Sequence, residues 1–168
     1  MDAVMLANLV QYVLQAHEFT AKKDIKKVRR WDEKTPYGVH PVWCAMSLLA
    51  ETALDEELRS SGAQALLFHD LLEDTNSDLH PGTTDRVRNL VLGMTFTSSE
   101  EEMDEVWDRG DEIILLKVYD KTSNLLDGVW MSPDKRARYI SYLLRLCEVT
   151  ETKYGNLNII RIARAICT

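Results

Sequence analysis

Apolar positions recur along this chain at helical spacing. Met5, Leu6, Leu9, Val13 and Ala16 put one apolar face on a helix from about Ala3 to Phe19. A second helix is predicted from Pro41 to about Leu54, because a proline lacking its N–H suits a first turn. A third runs from about Glu57 to Leu72, and Val87, Leu90, Val91 and Met94 mark a fourth after Thr84. Ser99 followed by Glu100, Glu101 and Glu102 reads as a helix start: Ser99 with Glu102 fits a capping box, and acids suit the positive end of the dipole. The run from Ile113 to Tyr119 is apolar throughout, so periodicity leaves helix and strand open; the lack of any other convincing strand favours helix. Ser132-Pro133 opens a helix with the stripe Ile140, Leu143, Leu144 and Cys147, which Gly155 ends. A short last helix uses Ile159, Ile162, Ala163 and Ile166. The expected fold class is all-α, a bundle of about seven helices, and 168 residues suit one domain spanning 1–168.

Charge narrows the choice of partners. Twenty Lys and Arg against twenty-seven Asp and Glu leave a net charge of −7, which argues against general nucleic-acid binding but leaves room for a small phosphorylated ligand at a local basic patch. Six of those twenty cations fall in Lys22–Arg30, either a solvated face or a clamp for phosphate oxygens. Cys44, Cys147 and Cys167 form no C-x-x-C pair and read as reduced thiols of a cytoplasmic protein. No signal peptide and no run long enough to span a membrane is expected, and oligomeric state, including a homo-oligomer, stays open.

Candidate chemistry centres on Phe68-His69-Asp70-Leu71-Leu72-Glu73-Asp74-Thr75. One imidazole and three carboxylates stand among apolar residues, where unpaired charge is costly. Either this is a solvated helix end or a cation neutralises it. If the third helix persists, residues three and four apart bring all four polar groups toward one region. His40 sits at a loop-to-helix junction beside Pro41, and Asp120 directly follows the apolar run. Helical spacing would put Asn124 on the face of Asp120, with Lys117 and Lys121 flanking it. His17 and His80 read as a helix-end histidine and an exposed loop histidine, and Tyr139 and Tyr142 as packing residues, either of which could line a pocket. Two imidazoles and two carboxylates suit Mn²⁺, Fe²⁺, Co²⁺ or Mg²⁺ better than a closed structural zinc site. Such an ion makes a bound water nucleophilic at neutral pH and polarises a phosphoryl oxygen.

The order His40, His69-Asp70, Asp120 resembles the HD superfamily of metal-dependent phosphohydrolases. Arg29-Arg30-Trp31-Asp32, Thr35-Pro36-Tyr37 and His40-Pro41 are similar to the "RR-x-D…TPY-x-x-HP" segment of its RelA/SpoT-type alarmone hydrolases. His69-Asp70-Leu71-Leu72-Glu73-Asp74-Thr75 resembles their "HD-x-x-EDT", Val91 to Thr95 their "V-x-G-x-T", and Lys117 to Asn124 their "K-x-x-D-x-x-x-N". The likeness covers about residues 17 to 127.

The resemblance implies an α-helical HD domain and one divalent ion, usually manganese, held by His40, His69, Asp70 and Asp120. It makes Glu73 and Asp74 the catalytic pair that orients and deprotonates the attacking water. It places Arg29 or Arg30, Lys121 and Asn124 at the nucleotide. The implied reaction removes pyrophosphate from the 3′ position of guanosine tetra- and pentaphosphate. Trp31 stands where a basic residue is common, Gly38-Val39 replaces "IN", and Leu125 to Gly128 lacks an arginine. These departures surround the expected nucleotide pocket and spare the metal residues. Two other functions fit the motifs: an HD phosphohydrolase of another nucleotide or phosphoester, and a non-catalytic HD domain that senses a nucleotide.

Overall fold

The computed structural model describes residues 2–168, apart from the Ile25 side chain. Nine α-helical segments lie among the described residues, α1 (Ala3–Thr20), α2 (Val39–Leu49), α3 (Glu56–Phe68), α4 (Leu71–Asp74), α5 (Asp85–Met94), α6 (Ser99–Glu105), α7 (Asp111–Leu126), α8 (Pro133–Tyr154) and α9 (Asn158–Ile166). The fold is all-α, as expected, with more helical segments than the seven expected. One of the extra segments is α4: the third helix stops at Phe68, His69 and Asp70 form a turn, and the chain restarts for one short segment. Among the described residues no helix is long and apolar enough to cross a membrane.

Helix α7 is the axis of the bundle. It packs against α2, α3, α5, α8 and α9, and residues around its whole circumference are buried from Ile113 to Ser123. A helix apolar all round belongs in a core, which is why the Ile113–Tyr119 run carried no clear period. Leu115, Leu116, Val118 and Tyr119 are fully enclosed there. Each such aliphatic side chain removed from water stabilises the fold by roughly 1.5–3 kcal/mol. Gly62 of α3 lets that helix approach closely: a Cβ there would lie 2.8 Å from a Leu48 methyl and 3.1 Å from one of Leu116.

Local signals set most helix ends. Asp2, Asp55, Thr84 and Ser132 each accept a hydrogen bond from a backbone N–H in the first turn. Gly155 closes α8 at φ 80°, a left-handed conformation that glycine adopts without strain. Two expectations need correction. The cap of α6 is Ser98, not Ser99; Ser98 is extended and accepts from the Glu101 N–H at 3.1 Å, which leaves Glu102 to turn into the protein. In α9, Ile160 is buried with Ile159 and Ala163 while Ile162 is exposed, because the contact with α7 and α8 selects a slightly rotated face.

The basic segment before α2 is mostly not helical. Apart from a 3₁₀ turn at Asp24–Lys26, it runs over α4 as a strap. Lys22 N–H donates to the Asp74 carbonyl (2.8 Å), Asn76 N–H to the Thr20 carbonyl (2.8 Å), and Lys22 Nζ to the Leu72 carbonyl (2.7 Å). The strap ties the short α4 to the body of the protein, which a four-residue helix could not do by its own hydrogen bonds.

Candidate active site

His40, His69 and Asp120 come from α2, the α3–α4 turn and α7, and they meet in the core. All three are buried, and one ligand atom from each lies within 4.8 Å of the others. His40 Nε2 is 3.3 Å from His69 Nε2, and Asp120 Oδ1 is 3.4 Å and 3.7 Å from the two. Asp70 joins them from the side, with Oδ2 3.6 Å from His40 Nε2 and Oδ1 3.3 Å from His69 Nε2. All four candidate metal residues are therefore brought together.

The break between α3 and α4 explains how adjacent residues both reach the cluster. His69 keeps helical backbone angles, and its Nδ1 donates to the Leu66 carbonyl at 2.8 Å. That bond fixes the tautomer and leaves Nε2 pointing inward with its lone pair. His40 Nδ1 is likewise engaged, 2.8 Å from Ser123 Oγ. Ser123 Oγ can donate to His40 Nδ1 or accept from it, and the two Nε2 atoms that face each other at 3.3 Å require a proton or a cation between them. Two ligand atoms bound at a right angle to one ion, each about 2.1 Å from it, lie roughly 3 Å apart. The donor set and its spacing fit a divalent cation.

Electrostatics agree. Burial lowers the His40 pKa, although Asp120 and Asp70 counter it. Burial also acts to lower that of His69, but the Asp70 charge and the Asp120 hydrogen bond and charge overcome it and raise the group to about 9. Burial opposes ionisation of Asp70, yet the charges of His69 and His40 hold its carboxyl below the usual range. Burial likewise opposes ionisation of Asp120, yet Lys121 and Lys117 hold its carboxyl well below the usual range. The site favours positive charge, and the carboxylates of Asp70 and Asp120 favour a proton on His69. A raised folded-state pKa stabilises the fold fully below the ordinary value of 6.5 and loses that contribution as pH rises through about 9. The expected result is that metal-free protein loses on the order of 3 kcal/mol between these limits, read as the urea midpoint against pH. A profile as shallow for His69→Gln as for the parent would refute it.

A cleft of about 360 Å³ opens beside the cluster, lined by Asp70, Glu73, Asp74 and Asp120 and by the cations Lys26, Arg29, Arg30, Lys117, Lys121 and Lys135. Glu73 meets the water of the cleft but is hemmed in by protein on its other sides. That partial burial, and then the Asp70 charge, raises its carboxyl above the usual value. Its Oε1 accepts from the Phe96 N–H at 3.0 Å. Asp74 is more constrained, since it is buried and its Oδ2 accepts from Lys26 Nζ at 2.8 Å.

The four candidate nucleotide contacts line this cleft but are not equally free. Arg29 is buried and forked onto Asp127, with Nε to Oδ2 at 2.6 Å and a terminal nitrogen to Oδ1 at 2.9 Å; it also reaches Asn124 Oδ1 at 3.2 Å. Asn124 Nδ2 donates to Asp120 Oδ1 at 2.7 Å. Lys121 is buried against Glu102 and Asp120. Arg30 alone of the four is exposed, stacked over Trp130 at 4.5 Å.

Sequence reasoning missed several supporting groups. Tyr37 donates its hydroxyl to Asp70 Oδ2 at 3.0 Å and stacks on the buried His17, 4.7 Å between ring centres. Ser123 holds His40, and Glu102 holds Lys117 and Lys121. Ser123 could have been suspected, one residue before Asn124 and three after Asp120. Glu102 was hidden inside an acidic run that a helix start explains on its own.

Relatives sharpen this geometry. The chain is 31% identical over 134 residues to the guanosine-3′,5′-bis(diphosphate) 3′-pyrophosphohydrolase MESH1 of Xenopus tropicalis, covering 73% of this chain and 72% of that protein. The chain belongs to the MESH1 family. It thereby falls in the RelA/SpoT-type branch of the HD hydrolases, as the motifs implied. The mouse MESH1 is 30% identical over 127 residues, 68% of each chain. A solved structure described as a metazoan ortholog of SpoT superposes with a TM-score of 0.72 over 99% of this chain and 95% of its own, at 20% identity, and so shares the fold. No protein-family model matches the chain.

Proposed function

We propose that this chain, one domain over residues 1–168, is a guanosine-3′,5′-bis(diphosphate) 3′-pyrophosphohydrolase. Water attacks the phosphorus attached to the 3′ oxygen, that P–O bond breaks, and GDP and pyrophosphate leave. The observation that carries the reading is the facing pair of imidazole Nε2 atoms at 3.3 Å, joined by two carboxylates at the wall of a cation-lined cleft, in a chain related to enzymes named for this reaction.

His40, His69, Asp70 and Asp120 would hold one divalent ion, with Mn²⁺ the favoured choice and Fe²⁺, Co²⁺ or Mg²⁺ compatible with the same donors. When bound, that ion supplies Lewis-acid polarisation of the phosphoryl group and makes water more acidic. Glu73 is the general base: it is accessible from the cleft, one helical turn from Asp70, and its raised pKa brings it nearer to neutrality, where a base is most effective. Asp74, anchored by Lys26, orients the water. Arg30, with its freedom at the cleft mouth, contacts the nucleotide, and Arg29, Lys121 and Asn124 act from the wall, where they also brace Asp120 and one another. Three free cysteines support a cytoplasmic setting.

The test is a panel of nucleotides incubated with purified protein and Mn²⁺. Release of pyrophosphate from guanosine tetra- and pentaphosphate is expected. Release of single phosphate from simple nucleotides would overturn the substrate assignment and retain HD hydrolysis. Binding of guanosine tetraphosphate with no turnover of anything would point to a sensor.

A further inference from the structure

Two lysines stand directly behind the metal site, which is an unfavourable place for cations. Lys117 Nζ and Lys121 Nζ lie 3.4 Å and 3.0 Å from Asp120 Oδ2, and all three side chains are buried. One carboxylate cannot neutralise two buried ammonium groups and also attract a divalent ion. The excess positive charge, a few ångströms from the cation and largely buried, would weaken metal binding.

Glu102 resolves this. It is itself buried, reaches in from α6 and accepts from both lysines: Oε2 is 2.8 Å from Lys117 Nζ and 3.0 Å from Lys121 Nζ, and Oε1 is 2.8 Å from Lys121 Nζ. The buried quartet is neutral. It also divides the Asp120 carboxylate in two. Oδ2 is held from behind by the lysines, while Oδ1 faces the imidazoles and accepts from Asn124.

We propose that Glu102 is a positioning residue of the metal site: it clamps Lys117 and Lys121 onto the outer oxygen of Asp120 and offsets the second ammonium, so that a divalent cation binds beside them. The proposal rests on the reading of His40, His69, Asp70 and Asp120 as the ligand set. Its neighbour Glu100 is exposed, on the opposite side of the α6 start, and serves as a control.

Mn²⁺ affinity, measured by calorimetric titration of the full chain, tests this without reference to turnover. Glu102→Gln keeps the size but loses the charge and exchanges one accepting oxygen for an amide donor, and is expected to weaken Mn²⁺ binding by about 10–100-fold, the usual effect of removing an outer partner of a metal ligand. Glu100→Gln is expected to bind as the parent does. Adding Lys117→Met to Glu102→Gln restores neutrality and is expected to recover most of the lost affinity, which repair of packing alone would not do. Affinity of Glu102→Gln within about two-fold of the parent, or a double variant no tighter than the single, overturns the proposal. Should Glu102→Gln not fold, Lys117→Met alone reads the same effect with opposite sign: it should bind Mn²⁺ more tightly, and weaker binding refutes the charge argument. Failure of the parent to bind Mn²⁺ would instead overturn the ligand-set reading, and this proposal with it.

Discussion

Alanine at His69 is expected to abolish stoichiometric Mn²⁺ binding and to lower kcat/KM for guanosine tetraphosphate by about a thousand-fold or more, roughly 4 kcal/mol of lost transition-state stabilisation. The loss is large because His69 is one of only two imidazoles in the cluster and its ring is pre-aimed, with Nδ1 tied to the Leu66 carbonyl. No neighbouring donor can take its place from the far side of Phe68 or Leu71, both fully buried apolar groups. The fold itself should survive, since α3 ends before this residue and the strap holds α4 independently through the bonds of Lys22 to Asp74 and Leu72. Metal analysis and steady-state kinetics on the same preparation check both halves. Full activity with Mn²⁺ bound in the variant would remove His69 from the ligand set, and retained activity of the parent after exhaustive chelation would remove the metal.

Glu73→Gln should separate binding from chemistry. Glu73 is not among the groups that gather around the two imidazoles, so Mn²⁺ affinity is expected to stay within a few-fold, while kcat falls by roughly 10²–10⁴, the range for a lost general base. The parent's kcat should fall on the acid side at a higher pH than an ordinary glutamate would give, because protonation removes the base and its pKa is raised by burial and by Asp70. The Gln variant should lack that acid limb. Asp74→Asn is expected to cost less, since Asp74 spends its carboxylate on Lys26 and acts through orientation. Equal and complete loss for the two variants would show that both take part directly in proton transfer. A Glu73→Gln enzyme with parental kcat would exclude it as the base.

The order His40, His69-Asp70, Asp120 was readable from the chain because each residue interrupts a recognisable pattern: a proline-started helix, an apolar helix end, and an all-apolar run. The capping residues Thr84 and Ser132 and the terminator Gly155 were equally readable, since each acts on its own few neighbours. Where the expectations slipped, the cause was competition with tertiary contacts. Ser99 with Glu102 satisfies the capping pattern, yet Ser98 caps and Glu102 turns inward to pair with two buried lysines. Arg29 looked like a free phosphate fork but is bound to Asp127, ninety-eight residues away.

The sequence by itself determined an all-α chain with two imidazoles and two carboxylates at separated, apolar-flanked positions, and a Glu-Asp pair one turn beyond, because helix periodicity, caps and motif spacing are local properties. Only the tertiary structure decided that His40, His69 and Asp120 converge within a few ångströms of one another with Asp70 beside the imidazoles, that the third helix breaks at His69 so that both His69 and Asp70 reach the cluster, and that Glu102 neutralises the lysines behind Asp120. Those features depend on α2, the α3–α4 turn and Glu102 of α6 meeting at α7, on contacts between segments far apart in the chain. Local spacing carries no information about which distant charge will be buried beside which.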